Sequence, residues 1–161
     1  MATHALPHAG VTIERALRVT PELVATMAGL IPDLSPTRPP ADAAQLQAVL
    51  DDERVHLLLA RDAQGDIAGS VTLILFRVPT GLRARIEDLI VAPPHRGRGV
   101  GRALMEAAMQ AARSAHAHVL DLTSNPSRLE ANQLYLALGF QRWETNVYRL
   151  VLDEPGVGSP G

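Results

Sequence analysis

Apolar residues along this chain recur at two spacings, every second position in some stretches and every third or fourth in others, the marks of strand and helix. Residues 11–18 read as a first strand. Thr20 then caps a helix with Pro21 at its first position, Glu22 in its first turn, and Leu23, Met27 and Leu30 on one face. Pro32, Pro36, Pro39 and Pro40 follow and are expected to rule out continuous helix. Asp42 and Gln45 resemble a capping box for a second helix carrying Leu46, Val49 and Leu50. Residues 55–60, a polar turn at 62–66 and a longer strand at 67–78 make a hairpin signature.

After a turn at Pro79, Thr80 and Gly81, residues 83–91 read as another strand. The next helix, residues 100–115, sets Leu104, Ala108, Ala111 and Ala115 opposite Arg102, Glu106, Gln110 and Arg113. Residues 119–123 form a short strand, and Asn125, Pro126 and Ser127 a turn and cap. Residues 128–138 predict a helix packing Ala131, Leu134, Tyr135 and Leu138, stopped by Gly139. A last strand is expected at residues 142–152. This order, β-α-α-β-β-β-α-β-α-β, does not alternate throughout, so a fully parallel doubly wound sheet is not expected. It predicts an α/β chain of mixed α+β character. The sheet should be antiparallel at first, with parallel character around residues 96–101. Flexible ends at residues 1–10 and 153–161 flank a single domain at 11–152.

The bulk properties narrow the classes of function. A chain of 161 residues can bury one core unaided. Its formal net charge of −2 argues against nucleic acid or an anionic membrane as the main partner. There are no cysteines, which excludes disulfides, thiolate metal sites and a cysteine nucleophile. No stretch reaches the ~18 apolar residues of a membrane span. The first ten residues lack the basic start and apolar core of a signal peptide. A cytoplasmic enzyme or binding module is the resulting expectation.

Candidate chemistry concentrates at Arg96-Gly97-Arg98-Gly99-Val100-Gly101, between the apolar run Leu89-Ile90-Val91 and the helix that follows. Glycine permits positive φ and lets a ligand approach the main chain without a Cβ in the way. The first amides of a helix lack intrahelical partners and sit at the positive end of its dipole. Together these make an anion cradle suited to phosphates, with Arg96, Arg98 and Arg102 adding charge. A nucleoside triphosphate loop would need Gly-Lys followed by Ser or Thr, which the chain lacks. A dinucleotide fingerprint would need a third glycine where Arg102 stands, although Asp121 falls near the place of a ribose-binding acid. The repeated βαβ units of that fold are also missing.

A third reading comes from resemblance. Arg96-x-x-Gly99-x-Gly101 resembles the acyl-CoA loop of the GNAT superfamily of N-acyltransferases. Residues 86–93, Ile-Glu-Asp-Leu-Ile-Val-Ala-Pro, resemble the strand that precedes that loop. Residues 131–140 resemble the family's Ala-x-x-Leu-Tyr-x-x-x-Gly-Phe signature. The element order agrees across most of residues 11–152. The resemblance implies a GNAT-like fold with a mixed, mostly antiparallel sheet of six to seven strands and about four helices. One departure is Arg128, which stands where many members carry Asn; Asn125 lies three residues earlier.

The resemblance also implies the chemistry. Acetyl-CoA would be the co-substrate, with no metal, and the amine would attack the thioester directly in a ternary complex. The amides of Arg96, Gly97, Arg98, Gly99, Val100 and Gly101, with Arg102, would hold the pyrophosphate. Leu89, Ile90 and Val91 would pair with the pantetheine amides like an added strand, leaving an amide to polarise the thioester oxygen. Asn125 and Arg128 would lie along the pantetheine arm. Glu87 would relieve the acceptor ammonium of its proton, and Tyr135 would protonate the departing thiolate. Each has a plainer reading: Glu87 or Asp88 pairing with Arg83 or Arg85, and Tyr135 serving as a core aromatic.

Other residues carry weaker signals. His95 reads as an exposed loop histidine, His56 as core or surface, and His116 and His118 as residues at a helix C-terminus without metal-ligand company. Trp143 and Tyr148 either wall an acceptor pocket or pack. Acceptor selectivity is expected from residues 31–40. The acceptor itself is expected to be a small primary amine, such as a polyamine, amino acid or aminoglycoside-like compound. The rivals are a protein N-terminus or lysine, or a non-catalytic CoA-binding module. A homodimer is a family-level expectation.

Overall fold

The computed structural model describes residues 4–6, 10–35 and 39–152. Pro36, the tail at 153–161 and part of the N-terminal segment expected to be flexible lie outside the described residues.

The alternation of Val55–Arg61 decides how the molecule is layered. Leu57 and Leu59 point to one side of this strand and Leu58 and Ala60 to the other, and all four are buried. Two helices therefore cover one face and two the other. Pro21–Leu34 (α1) and Ala43–Asp51 (α2) bring Leu23, Met27 and Leu46 onto Leu57, Leu59 and Ile67. Val100–Ser114 (α3) brings Val100, Ala103, Leu104, Met105, Ala108 and Ala112 onto Leu58, Ala60, Val71, Leu73 and Ile86. Leu129–Ala137 (α4) adds Tyr135 to that second cluster. Leu23, Leu73, Leu104 and Met105 are among the largest side chains fully withdrawn from solvent.

The sheet has six strands in sequence order: His4–Leu6 (β1), Val11–Arg15 (β2), Val55–Arg61 (β3), Ile67–Val78 (β4), Gly81–Val91 (β5) and Val119–Asp121 (β6). Neighbours are antiparallel from β1 to β5, and β6 pairs with β5 in parallel. This is the mixed sheet, antiparallel at first, that the element order predicted, with the mostly antiparallel pairing and four helices that the resemblance implied.

Local signals account for the helix starts. Thr20 Oγ1 accepts from the Leu23 amide at 3.1 Å. Asp42 and Gln45 form the full capping box, at 2.8 and 2.9 Å.

Three expectations are corrected. Pro32 does not end α1, because it lies in the last turn, where its missing N–H removes a single bond and the Ser35 amide still reaches the Ile31 carbonyl. His4–Leu6, expected to be flexible, pair antiparallel with Val11–Ile13. The strand expected at 142–152 is absent: those residues are exposed, and none is paired into the sheet. A strand needs a neighbour, and among the described residues no strand pairs with that segment.

Candidate active site

Strands β5 and β6 part company early. Their parallel pairing covers only Arg83↔Val119, Ala84↔Leu120 and Arg85↔Asp121. β5 runs six residues further, to Val91, with β4 along one edge and, among the described residues, no strand along the other. The far part of β5 therefore offers an unpaired edge inside a cleft. A bulge reinforces the parting: Ser70 faces Ile90 and Thr72 faces Glu87, so Val71 stands opposite both Asp88 and Leu89. Asp88 absorbs the extra residue with φ of 52°, a left-handed conformation that Asp tolerates better than most residues.

A short 3-10 turn, Pro93–His95, then leads to the glycine loop. Gly97 and Gly99 have φ of 71° and 83°, and Gly99 is the N-cap of α3. The first helical bond joins the Ala103 amide to the Gly99 carbonyl at 3.0 Å. Among the described residues no acceptor bonds the amides from 97 to 102. No side chain caps α3 and no acid stands in its first turn. The helix is thus left with free donors and an uncompensated positive end.

This loop and the β5 edge share one open cavity of about 960 Å³. Leu89, Ile90 and Val91 line it from β5, and Arg96, Gly97, Gly99, Val100, Gly101 and Arg102 from the loop and α3. Arg128, Ala131 and Leu134 close it from α4, and Asp33 and Leu34 from the end of α1. Nine of the residues expected at the loop and strand, with Arg128, are thereby brought together. Arg98 and Asn125 are not on this wall. Asn125 instead organises the turn before α4: its Oδ1 accepts from the Ser127 amide at 2.9 Å and its carbonyl accepts from Asn132 Nδ2 at 2.9 Å.

The charged groups carry more local duties than their number suggests. Arg96 donates through Nε to the Val91 carbonyl at 3.0 Å and through Nη2 to Asp33 at 2.9 Å. It ties the loop to the end of β5 and to α1, a contact that spans 63 positions of chain and has no signal in sequence. Arg102 reaches Glu106 one turn on, at 3.4 Å. His95 is mostly buried and its Nε2 lies 3.6 Å from Asp62 in the β3–β4 turn, not loose in solvent as expected.

The two proton-handling candidates differ in setting. Glu87 pairs with Arg85, whose other arm bonds Thr123 Oγ1 at 3.2 Å. Arg83 is engaged by Asp121 at 2.6 Å. The adjacent Asp88, which sequence offered only as an ion-pair partner, has no such cation among the described residues. Burial pushes its carboxyl above the usual carboxylate range, and the Glu87 charge adds to the shift. Tyr135 lies in the core, its ring edge-on to Phe140 at 6.1 Å. Burial raises its phenol pKa, opposed in part by Arg128, so the hydroxyl stays a proton donor at neutral pH. Neither Glu87 nor Tyr135 is on the cavity wall. His56 is also off the cavity, and burial with the nearby Arg15 charge lowers its pKa. Trp143 and Tyr148 neither wall the cavity nor pack; they are 82% and 88% exposed.

The model of the acetyltransferase (GNAT) family matches residues 23–140. An aminoalkylphosphonate N-acetyltransferase of Salmonella typhimurium is 33% identical over 97 residues, 59% of this chain and 62% of that protein. A streptothricin acetyltransferase of Streptomyces lavendulae is 36% identical over 90 residues, 56% of this chain and 47% of that protein. The matches thus span about half to three fifths of the curated relatives' lengths. An aminoglycoside acetyltransferase from an uncultured soil metagenomic sample, solved with sisomicin, superposes with a TM-score of 0.77. It is 17% identical, with 90% of this chain and 97% of that one covered, so it speaks for the fold alone.

Proposed function

The chain belongs to the acetyltransferase (GNAT) family, and on that premise we propose that it moves an acetyl group from acetyl-CoA to the primary amine of a small molecule. The observation that carries this reading is the uncapped start of α3 beside the free edge of β5, on one cavity. A pyrophosphate suits the first element and an extended chain of amides the second. Acetyl-CoA supplies an activated thioester. The amides at 97–102 hold its diphosphate, and Leu89, Ile90 and Val91 pair with the pantetheine arm. Asp33 and Leu34, inside the stretch expected to govern selectivity, border the acceptor side. The two curated relatives act on small amines, as their names state, and this favours a small acceptor over a protein.

In this mechanism the acceptor amine attacks while both substrates are bound, and the absence of cysteine excludes a cysteine-bound acyl intermediate. Glu87 takes the ammonium proton, directly or through water, and Tyr135 donates one to the leaving thiolate. The Glu87–Arg85 pair favours a second reading in which Asp88 is the base, since a raised carboxyl pKa brings a base closer to working pH.

The test is a panel of amines, scored by release of free CoA thiol. Turnover with a small amine and none with peptides is the expected result. Turnover with peptides alone would move the acceptor class to proteins. No turnover with any amine, together with no rise in melting temperature on adding acetyl-CoA, would remove the proposal. Glu87→Gln and Asp88→Asn then separate the two bases: the true base, once neutralised, costs most at low pH, where free amine is scarce.

A further inference from the structure

We propose that Arg128 is the cation that receives the negative charge of the departing CoA sulfur. The inference rests on the acetyl-transfer reading above and adds a residue to it. Arg128 is a poor fit to the position it holds. It is the N-cap of α4 and makes no capping hydrogen bond there. Its charge stands at the positive end of the helix dipole, where an acid or a small polar side chain is favoured. Among the described residues its guanidinium has no hydrogen bond and no ion pair. A charge placed against local preference, and left unpaired on the wall of a cavity, points to function.

The other cations on that wall already have carboxylate neighbours. Arg96 is held by Asp33 at 2.9 Å, Arg102 reaches Glu106 at 3.4 Å, and His95 lies 3.6 Å from Asp62. Glu130 also borders the cavity but forms no ion pair with Arg128. Among the described residues Arg128 is therefore the cavity's uncommitted cation.

Its place on α4 puts that charge toward Tyr135. Seven residues are two helical turns and return to nearly the same face, so Arg128 and Tyr135 share one side of the helix. Helical side chains lean toward the N-terminus, which inclines Tyr135 toward Arg128. The Tyr135 ring is set edge-on to Phe140. Its hydroxyl is not one of the sealed, partnerless polar atoms, which are Arg83 Nε and Ser124 Oγ. The Arg128 charge reaches this phenol, opposing the rise in pKa that burial causes.

The chemistry needs a cation there. As the amine nitrogen bonds the acetyl carbon, the C–S bond breaks and its electron pair stays on sulfur. The surplus proton on nitrogen goes to the carboxylate base. Tyr135 gives its own proton to the sulfur, the charge passes to the phenolate, and solvent returns a proton to that oxygen. One negative charge thus stands beside α4 throughout, and a fixed cation lowers the cost of both its positions.

The experiment uses the full chain with CoA and needs no acceptor. The chain has no cysteine, so the S–H stretch in a Raman spectrum of the complex belongs to CoA alone. Loss of that band with rising pH reports ionisation of the bound thiol. The thiol should ionise about one pH unit lower in the unaltered complex than in Arg128→Asn, about a tenfold difference in the ionisation constant. Asn removes the charge and suits an N-cap, so α4 is retained. Arg128→Lys, which keeps the charge, should stay close to the unaltered chain. CoA affinity near neutral pH, read by calorimetry, should change by less than about threefold in Arg128→Asn. Equal ionisation with and without the arginine, CoA being bound in both, would overturn the inference and leave the acetyl-transfer reading standing. So would an affinity loss of about tenfold or more at unchanged ionisation, which would make Arg128 a phosphate ligand. Failure of the unaltered chain to bind CoA would remove the acetyl-transfer reading itself, and the inference with it.

Discussion

Helices α1 and α3 both begin beside a cavity, and they begin in opposite ways. At α1, Thr20 bonds the Leu23 amide, and Glu22 stands in the first turn. Arg61, on the adjacent cavity of about 500 Å³, is held by Glu14 at 2.6 Å and by Glu22 at 3.0 Å. Its guanidinium also reaches the Gly65 carbonyl. The Leu23 amide and the Arg61 charge there are met from within the chain. At α3 a glycine in the left-handed conformation replaces the capping side chain, and no acid balances the dipole. An anion site is distinguished less by its positive residues than by what the chain declines to place there.

The comparison can be broken most severely by giving α3 the kind of cap that α1 has. Gly99→Asp supplies an acceptor for the free amides and a negative charge where the diphosphate belongs, and Asp tolerates the positive φ. Acetyl-CoA affinity should fall about 1,000-fold or more by calorimetry, as several charge-assisted bonds are lost. An unchanged affinity would mean that the amides do not hold the diphosphate. Tyr135→Phe tests the proposed proton donor, which lies in the core and off the cavity wall. It should lower kcat about 100-fold, while acetyl-CoA affinity moves less than about twofold. Equal kcat in the two proteins would reduce Tyr135 to a core aromatic. Thr20→Ala gives the smallest effect, a loss of about 1 kcal/mol in unfolding free energy with acetyl-CoA affinity unaltered. A change in that affinity would join the two helix starts into one site, contrary to their separate bonding.

A pH dependence of stability follows from Asp88. Its carboxyl is raised in the folded chain, so the ionised form is penalised relative to the unfolded chain. The penalty is absent below the ordinary carboxylate range, grows through the raised folded value, and is constant above it. Asp88→Asn should therefore be stabilising at neutral pH, but by no more than about 0.5 kcal/mol, because the carboxyl is only partly withdrawn from solvent and water screens it. The gain should vanish in acid, as followed by denaturant melts at both pH values.

Much of this was legible in order. The caps at Thr20 and Asp42 lie within three residues of the amides they bond, so a short window of sequence contains the whole interaction. The glycine loop is legible for the same reason, since positive φ at Gly97 and Gly99 is a local demand. Pro32 misled because a proline forfeits one bond to the preceding turn without forbidding the residues after it from staying helical, and here the helix continues to Leu34. The pairing of Arg96 with Asp33, of His95 with Asp62, and of Arg83 with Asp121 joins positions more than thirty apart. No periodicity carries such information. Asp88 was visible as a carboxylate, but its bulge is a mismatch between β4 and β5 and exists only once they are registered.

By itself the sequence determined the elements from Val11 to Ala137 and their order, the burial faces set by periods of two and 3.6, and the glycine loop, because each rests on contacts within a few residues. Only tertiary structure decided where β5 and β6 separate, which arginines are already engaged, and that residues 141–152 stand away from their own sheet. Those outcomes depend on which distant groups meet, and a strand, a salt bridge or a cleft is complete only when its second partner arrives.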